Sequence, residues 1–166
     1  MGFVGNTLFV VQAGALHSMN PNDGKYKVLG KVGDWTGHTS MASSSTDLHI
    51  IQDEKLWRVD PATGQFSRLG DSAWKNPAYL ASAGGKLLAL ENSRFHIIDK
   101  VTGGYSVKGG QDWSLTTAFA ADEGMAFAIE SDRLWRINID AGSFVHLSDG
   151  WSGRSVMVAA KGLRCD

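Results

Sequence analysis

The 166-residue sequence has little cysteine, no long apolar run and no basic leader, and each shortage excludes a class of protein. With one cysteine, Cys165, the chain cannot form an internal disulfide or a cysteine-based zinc cluster. No apolar run is long enough to cross a bilayer, and the opening "MGFVGNTLFVVQAG" lacks a basic leader. We therefore expect no membrane span, and a location in the cytoplasm or outside the cell after export without a classical signal peptide.

A charge excess of either sign is also missing. Sixteen Lys and Arg nearly balance seventeen Asp and Glu, and no run of like charge could follow a phosphate backbone. We therefore expect no nucleic-acid partner. Hydrophobic residues make up 43% of the chain, which is enough to bury one core and predicts a single domain over residues 1–166.

Motifs that mark common enzyme classes are absent as well. The sequence contains no "GxxxxGK[ST]" loop, no "HExxH", no "GxSxG" and no EF-hand loop. An enzyme stays open as an alternative that would need an asymmetric polar cluster. We expect a non-catalytic protein with no cofactor and no metal site.

What the sequence has instead is a fourfold internal repeat of about 39 residues. Four tryptophans recur with this spacing, and so do four other aromatic residues and four turn glycines. Agreement between three residue classes makes a true repeat the best interpretation. The three series are Trp35, Trp74, Trp113 and Trp151; Tyr26, Phe66, Tyr105 and Phe144; and Gly24, Gly64, Gly103 and Gly142.

Each repeat predicts four short antiparallel strands, named A to D in chain order. The A segments are rich in Ala and Ser, the B segments are apolar, and the C segment reads "LWRVD" in the second repeat and "LWRIN" in the fourth. Hairpins such as "DPATGQ" join C to D. This pattern is typical of β-propeller blades, so we predict an all-β, four-bladed β-propeller. The predicted blades span about 1–37, 38–76, 77–115 and 116–154.

The two ends of the chain predict how the ring closes. Residues 155–160, "SVMVAA", look like an A strand without the rest of its blade, whereas the first repeat begins with only "MGFVG". We expect this C-terminal strand to complete the N-terminal blade, which removes the open sheet edges. Alternatively, two chains form an eight-bladed ring, so both a monomer and a homodimer stay open.

One face of the predicted ring combines the crossover tryptophans, between strands D and A, with the B–C turns. Each turn begins with an amide or carboxylate, and three of four end with a cation. Such a surface suits a sugar, whose C–H face packs on a ring while polar side chains meet its hydroxyls. Alternatively, the tryptophans fill gaps between blades and the charged turns are ordinary solvated hairpin tips. The candidate ligand-binding residues are Trp35, Trp74, Trp113, Trp151, Gln12, Gln52, Glu91, Glu130, Lys55, Arg94 and Arg133.

A second ring series lies within the C strands. It comprises His17, Trp57, His96 and Trp135. Because these residues lie in strands rather than in loops, we expect them to be buried between blades.

The order of crossover Trp, small-residue strand, "LWRVD" strand and Gly turn resembles the tectonin-like group of β-propeller repeats. That group includes lectins of innate defence, so the resemblance implies glycan recognition at several equivalent sites, carried over to the four crossover tryptophans. Tectonin lectins are usually larger rings, and the aromatic, Asp-rich signature of the four-bladed hemopexin type is missing here. We therefore expect a multivalent glycan-binding protein; the alternative is a protein-interaction scaffold that uses one propeller face.

Overall fold

The computed structural model describes residues 1–37, 40–75 and 78–153, and every helix or strand in that part of the chain is a β-strand. The all-β prediction is therefore confirmed, and the described residues include no helix long and apolar enough to cross a membrane. The strands are β1 Gly2–Val4, β2 Thr7–Gln12, β3 Ala15–Met19, β4 Tyr26–Leu29, β5 Ser40–Ser43, β6 Leu48–Gln52, β7 Lys55–Val59, β8 Phe66–Arg68, β9 Ala78–Ala83, β10 Lys86–Glu91, β11 Arg94–Ile98, β12 Tyr105–Lys108, β13 Thr116–Asp122, β14 Met125–Glu130, β15 Arg133–Asn138 and β16 Phe144–Asp149.

These strands form four antiparallel sheets of four strands each, in chain order. Sheet 1 contains β1 to β4, sheet 2 β5 to β8, sheet 3 β9 to β12 and sheet 4 β13 to β16. Each sheet corresponds to one predicted repeat, so the fourfold repeat and its four-strand pattern are confirmed. The recurring aromatic residue is the first residue of each D strand, at Tyr26, Phe66, Tyr105 and Phe144.

Sheet 1 differs from the prediction at its first strand. Gly2–Val4 forms β1 and pairs with β2, with Phe3 opposite Leu8. From the sequence, residues 155–160 are expected at this place beside β2, and they lie outside the described residues. A three-residue strand is too short to show an apolar period in the sequence.

The B–C turns have the same backbone conformation in all four sheets. Each contains two consecutive residues with positive φ, for example 50° at Asp53 and 57° at Glu54 in sheet 2 and 51° at Ser131 and 62° at Asp132 in sheet 4. Two such residues are characteristic of tight two-residue hairpins, because their twist matches the twist of the strands. These turns therefore fix the register of strands B and C.

The C–D turns confirm the predicted Asp-to-Gly hairpin chemistry. In sheet 2 the backbone N–H of Ala62 donates to Asp60 Oδ1 over 2.8 Å, and that of Gly64 donates to the Asp60 carbonyl over 2.8 Å. Gly64 has a φ of 77°, which a residue without a Cβ adopts most easily. Asn20 and Asn138 accept equivalent bonds in sheets 1 and 4.

The chain divides into two compact units, and the first comprises Met1–Ala78 and Lys100–Gly104. It contains sheets 1 and 2, which share one apolar core. Because side chains from both sheets and from the crossover between them enter this core, it joins two repeats into one body. The buried members are Phe9, Leu16, Leu29, Trp35, Leu48, Ile50 and Val59.

The second unit comprises Tyr79–Asp99 and the chain from Tyr105 onward, and it contains sheets 3 and 4. Its core includes alanines from the A strands β9 and β13, so the small side chains of these strands are packed rather than exposed. The buried members are Ala81, Ala83, Leu88, Leu90, Phe95, Trp113, Phe119, Ala121, Ala126, Ala128, Ile137 and Ile139.

Candidate functional site

The crossover tryptophans lie against the B–C turns, at one end of each sheet. The backbone N–H of each tryptophan donates to a carbonyl of the turn in the sheet that it follows. These bonds place the two series of predicted site residues at the same end of each sheet. They run from Trp35 to Gly14 (3.1 Å), Trp74 to Glu54 (2.8 Å), Trp113 to Ser93 (3.1 Å) and Trp151 to Asp132 (3.0 Å).

Three of the four crossover tryptophans are buried. Trp35 and Trp74 are 2% exposed and Trp113 is 5% exposed, whereas Trp151 is 42% exposed. The Trp35 ring lies 4.8 Å from that of Phe66 in sheet 2, measured between centroids. The first three indoles therefore contact protein, as the gap-filling alternative expects, and Trp151 is the member of the set with solvent-exposed ring surface.

Two of the polar residues at the ends of the B strands are buried and bind the crossover backbone. Gln52 Nε2 donates to the carbonyl of Asp34 over 3.1 Å. The Glu130 carboxylate accepts the backbone N–H of Leu115 (2.9 Å) and the hydroxyl of Thr116 (2.7 Å). Because an unpaired buried polar group is costly, the bonds of Glu130 help its carboxylate tolerate burial, whereas the bond of Gln52 uses Nε2 and leaves the buried Oε1 without a partner among the described residues. Both side chains tie a crossover to the end of a B strand.

The other two members of that polar set have different surroundings. Glu91 is buried beside His96, whose Nε2 lies 3.6 Å from Glu91 Oε2 and 3.2 Å from the Glu91 carbonyl oxygen. Burial lowers the pKa of His96, and Glu91 opposes that shift. Gln12 is exposed. Four positions that are equivalent in the sequence are thus not equivalent in the structure.

The three predicted cations are exposed, and each begins a C strand. Arg133 Nε lies 3.2 Å from Asp149 Oδ1. Lys55 and Arg94 form no ion pair within the described part of the chain. Sheet 4 is therefore the sheet in which a predicted site cation is held in place by a carboxylate.

The C-strand rings pack against the aromatic residues that begin the D strands. His96 is buried and the other three C-strand rings are half-buried, whereas all four D-strand rings are exposed. The expected burial of the C-strand series is therefore complete only at His96. The pairs, with their centroid distances, are His17 and Tyr26 (5.4 Å), Trp57 and Phe66 (5.3 Å), His96 and Tyr105 (5.2 Å) and Trp135 and Phe144 (5.7 Å).

On sheet 4 this aromatic pair continues into a charged group. A register shift between β15 and β16 puts Trp135 opposite His146 and Arg133 opposite Asp149, with Leu147 as the extra residue. Because of that extra residue, His146 and Asp149 lie on the same side of the sheet although they are three positions apart. The sheet 4 strip is defined here as Arg133, Trp135, Phe144, His146 and Asp149.

Short contacts join the members of the sheet 4 strip. The His146 ring lies 5.2 Å from the Trp135 ring, and His146 Nε2 lies 3.2 Å from Asp149 Oδ1. The side chains of Asp149 and Arg133 are 70% and 57% exposed. The strip thus presents aromatic surface at one end and an exposed acceptor and donor at the other.

Trp151 lies on the other side of β16 from the strip. Its indole N–H donates to the hydroxyl of Ser148 over 2.8 Å, and Ser148 pairs with Leu134. Leu134 and Trp135 are consecutive in β15 and therefore point to opposite sides of the sheet. Of the predicted site residues, Arg133 alone belongs to the strip.

Phe144, His146 and Asp149 are not among the site residues predicted from the sequence, because they lie in a D strand and not in a turn or crossover. The available signal was the D segment "FVHLSD", the one that combines a histidine and a carboxylate. The register shift that brings these two side chains together depends on pairing with β15, so the sequence pattern alone does not reveal it.

Comparisons with known proteins give no family for this chain. No protein-family model matches it, and a search of the curated proteins finds no match. Among the described residues, no group of three or more His, Cys, Asp or Glu side chains could hold a metal ion. Function is therefore proposed from the geometry of the sheet 4 strip.

Proposed function

We propose that the four sheets are the blades of a closed four-bladed β-propeller that binds carbohydrate without catalysing a reaction. Four antiparallel sheets, one for each repeat of about 39 residues, support the propeller, because its blades are sheets of this kind. The observation that carries carbohydrate binding is the sheet 4 strip, where exposed aromatic surface adjoins an exposed ion pair.

The two ends of the strip match the two kinds of surface on a sugar ring. The C–H face of a pyranose packs on Phe144, Trp135 and His146, whereas its hydroxyls reach Asp149 and Arg133. The Trp135 ring is held before any ligand arrives, because its Nε1–H donates to the Glu130 carbonyl over 3.4 Å and its ring lies 6.4 Å from that of Trp113. A site fixed in advance loses less entropy on binding.

Sheet 2 carries a simpler counterpart of the strip. Trp57 and Phe66 form the same aromatic pair, and Arg68 lies opposite Trp57. The Arg68 guanidinium donates to the carbonyl of Asp71 over 2.8 Å, and Arg68 has no carboxylate partner among the described residues. We propose a main site on sheet 4 and a weaker one on sheet 2, which together raise the avidity for a surface that displays many sugars.

A glycan array followed by calorimetric titration of the bound sugars tests carbohydrate binding. The Phe144→Ala/His146→Ala double variant removes two exposed members of the strip. We expect it to weaken binding of the best ligand about tenfold or more, because stacking and hydrogen bonds are lost together. The matched control is Tyr26→Ala/Val28→Ala, at the equivalent D-strand positions of sheet 1, which should leave the affinity unchanged.

Two outcomes would reject carbohydrate binding at this strip. An array on which the unmodified protein binds no glycan would reject the function itself. An equal loss of affinity in the double variant and in its sheet 1 control would reject the location, since the loss would then not depend on the strip.

A protein-interaction scaffold is the second candidate, and the edge strand β16 favours it. Val145 and Leu147 expose apolar side chains, and β16 pairs with β15 alone among the described strands. An added strand from a partner protein could use the open backbone groups of such an edge. Capture of one stoichiometric protein, lost in Val145→Lys and unaffected by free sugars, would favour this function over carbohydrate binding.

A further inference from the structure

On the premise of the proposed carbohydrate function, we infer that the charged end of the sheet 4 strip selects an uncharged sugar with two adjacent free hydroxyl groups. The selectivity depends on which atoms of Asp149 and Arg133 are already engaged. These atoms determine the class of ligand that the strip takes, whereas the aromatic end is compatible with any pyranose.

Asp149 presents one oxygen that is in use and one that is open. Arg133 Nε and His146 Nε2 both lie 3.2 Å from Oδ1. Oδ2 has no partner among the described residues, and the side chain is largely exposed. Two contacts on Oδ1 orient the carboxylate, and the second oxygen of a carboxylate can accept hydrogen bonds from ligand hydroxyls.

Arg133 presents open donors next to that open acceptor. Its contact with Asp149 uses Nε, so the two terminal nitrogens of the guanidinium have no acceptor among the described residues. The guanidinium is planar, and its donors therefore keep a fixed direction. One sugar hydroxyl can donate to Asp149 Oδ2 while its neighbour accepts from Arg133. A single isolated hydroxyl engages both groups less well than two adjacent hydroxyls do.

The charges around this pair favour a ligand without a net charge. Arg133 and Asp149 cancel each other, and the adjoining B–C turn adds the exposed carboxylate of Asp132. A carboxylate or sulfate on a sugar would therefore meet more negative than positive charge, with Asp149 Oδ2 directly exposed to it. An uncharged diol loses nothing to this repulsion.

Paired sugars provide the test. The protein is titrated separately with glucose, galactose and mannose and with glucuronic and galacturonic acids, and Trp fluorescence reports binding. The 2-deoxy or 4-deoxy sugars, which lack one of two adjacent hydroxyls, are titrated in the same way. We expect at least one neutral sugar to bind about tenfold or more tightly than its uronic acid, and its deoxy form to bind about tenfold more weakly.

Substitutions of the two charged residues complete the test. Asp149→Asn should weaken the neutral sugar about tenfold and narrow its advantage over the uronic acid, because the negative acceptor is lost. Arg133→Gln removes the guanidinium and tests independently what its hydrogen-bond donors contribute to binding. Asp122→Asn is the matched control, an exposed Asp at the other end of sheet 4, and should change neither affinity.

The results separate the inference from the function on which it rests. Preferred binding of uronic or sulfated sugars, or neutral binding unchanged in both Asp149→Asn and Arg133→Gln, would overturn the inference and leave carbohydrate binding intact. Failure of the unmodified protein to bind any sugar in the panel or on the array would overturn both.

Discussion

Sheet 2 and sheet 4 share the same arrangement of aromatic rings but differ in the polar side chains beside it. In both, a buried crossover tryptophan packs against a D-strand phenylalanine, with centroids 4.8 Å apart for Trp35 and Phe66 and 5.8 Å apart for Trp113 and Phe144. A C-strand tryptophan completes each group. Because both units keep these three rings, the group belongs to the packing of the repeat.

The difference between the two sheets lies in the length and register of the D strand. In sheet 2, β8 ends at Arg68, whereas in sheet 4 β16 is six residues long and contains the register shift at Leu147. That shift brings His146 and Asp149 beside Arg133. Specific polar chemistry therefore arises from one local departure from the repeat, while the repeat itself supplies the aromatic surface.

The largest expected effect follows from removing the crossover tryptophans. Trp35→Ala and Trp113→Ala each delete a buried indole, so we expect each to lower the free energy of unfolding by about 3–5 kcal/mol. Trp151→Ala, at the equivalent but exposed position, should cost about 1 kcal/mol or less. Urea unfolding of the three variants measures this, and similar losses at Trp113 and Trp151 would contradict the distinction between them.

A smaller effect is expected where the C–D turns approach the preceding sheet. An added Cβ at Gly64 would lie 2.6 Å from Leu29 Cβ, and one at Gly142 would lie 2.7 Å from Lys108 Cβ. Gly64→Ala and Gly142→Ala should therefore destabilise by about 2–4 kcal/mol, from crowding together with positive φ.

Gly24 is the matched control for these two glycines. It has a similar φ of 70°, but an added Cβ would meet no atom within 4 Å. Gly24→Ala should cost only about 1 kcal/mol, which is the conformational part alone. Equal losses in chemical denaturation at all three positions would mean that the close approach contributes nothing.

The sequence was sufficient to predict strands and turns because both follow local rules. Apolar segments and Asp-to-Gly turns recur every 39 residues or so, and sheets 2, 3 and 4 follow them with A to D strands in the expected order. Periodic sequence patterns predict strands and turns well, because both are determined by nearby residues. Sheet 1 departs at β1, where a three-residue strand gives no periodic signal.

The candidate site was less predictable because burial and register depend on distant partners. Trp113 and Trp151 look the same in sequence, yet one is packed against Phe144 and the other is exposed. Gln52 looks like a polar rim residue, but an available backbone carbonyl from Asp34 allows it to be buried. Of the sheet 4 strip, only Arg133 is predicted from the sequence as a site residue. Its partner Asp149 is not, because the contact between them depends on the pairing of β15 with β16.

A pH effect would distinguish sheet 2 from sheet 4 at one buried position. Burial lowers the pKa of His49; Asp47 and a hydrogen bond to the Lys100 backbone oppose that shift, and the charges of Arg58 and Lys100 add to it. Sheet 4 has Phe127 at the equivalent place, opposite Arg136 as His49 is opposite Arg58.

Because the folded pKa of His49 is below its unfolded value of about 6.5, the stability that it contributes is present above pH 6.5 and is lost as pH falls through the folded pKa. We therefore expect the free energy of unfolding to decrease between pH 7.5 and pH 5, and less steeply in His49→Phe. Urea titrations across this range measure the difference, and identical slopes would show that His49 is not responsible. His96, whose pKa is also lowered by burial, accounts for part of the slope that remains.

The smallest expected effect concerns the B–C turns, where non-glycine residues adopt positive φ in both sheets. Asp53→Asn/Glu54→Gly supplies the residues that this turn prefers, while the bond from the Trp74 N–H to the carbonyl of residue 54 uses only backbone atoms. Relief of the strained conformation should raise stability by about 0.5–1 kcal/mol.

The equivalent change in sheet 4, Ser131→Asn/Asp132→Gly, should stabilise by a similar amount and also remove a carboxylate beside Arg133. If the strip binds sugars as proposed, this second variant should lose part of its discrimination against uronic acids, whereas the sheet 2 variant should keep it. Matched thermal and ligand titrations of the two variants measure both quantities. A change in sugar preference in the sheet 2 variant would contradict the proposal that the residues that select the sugar lie on sheet 4.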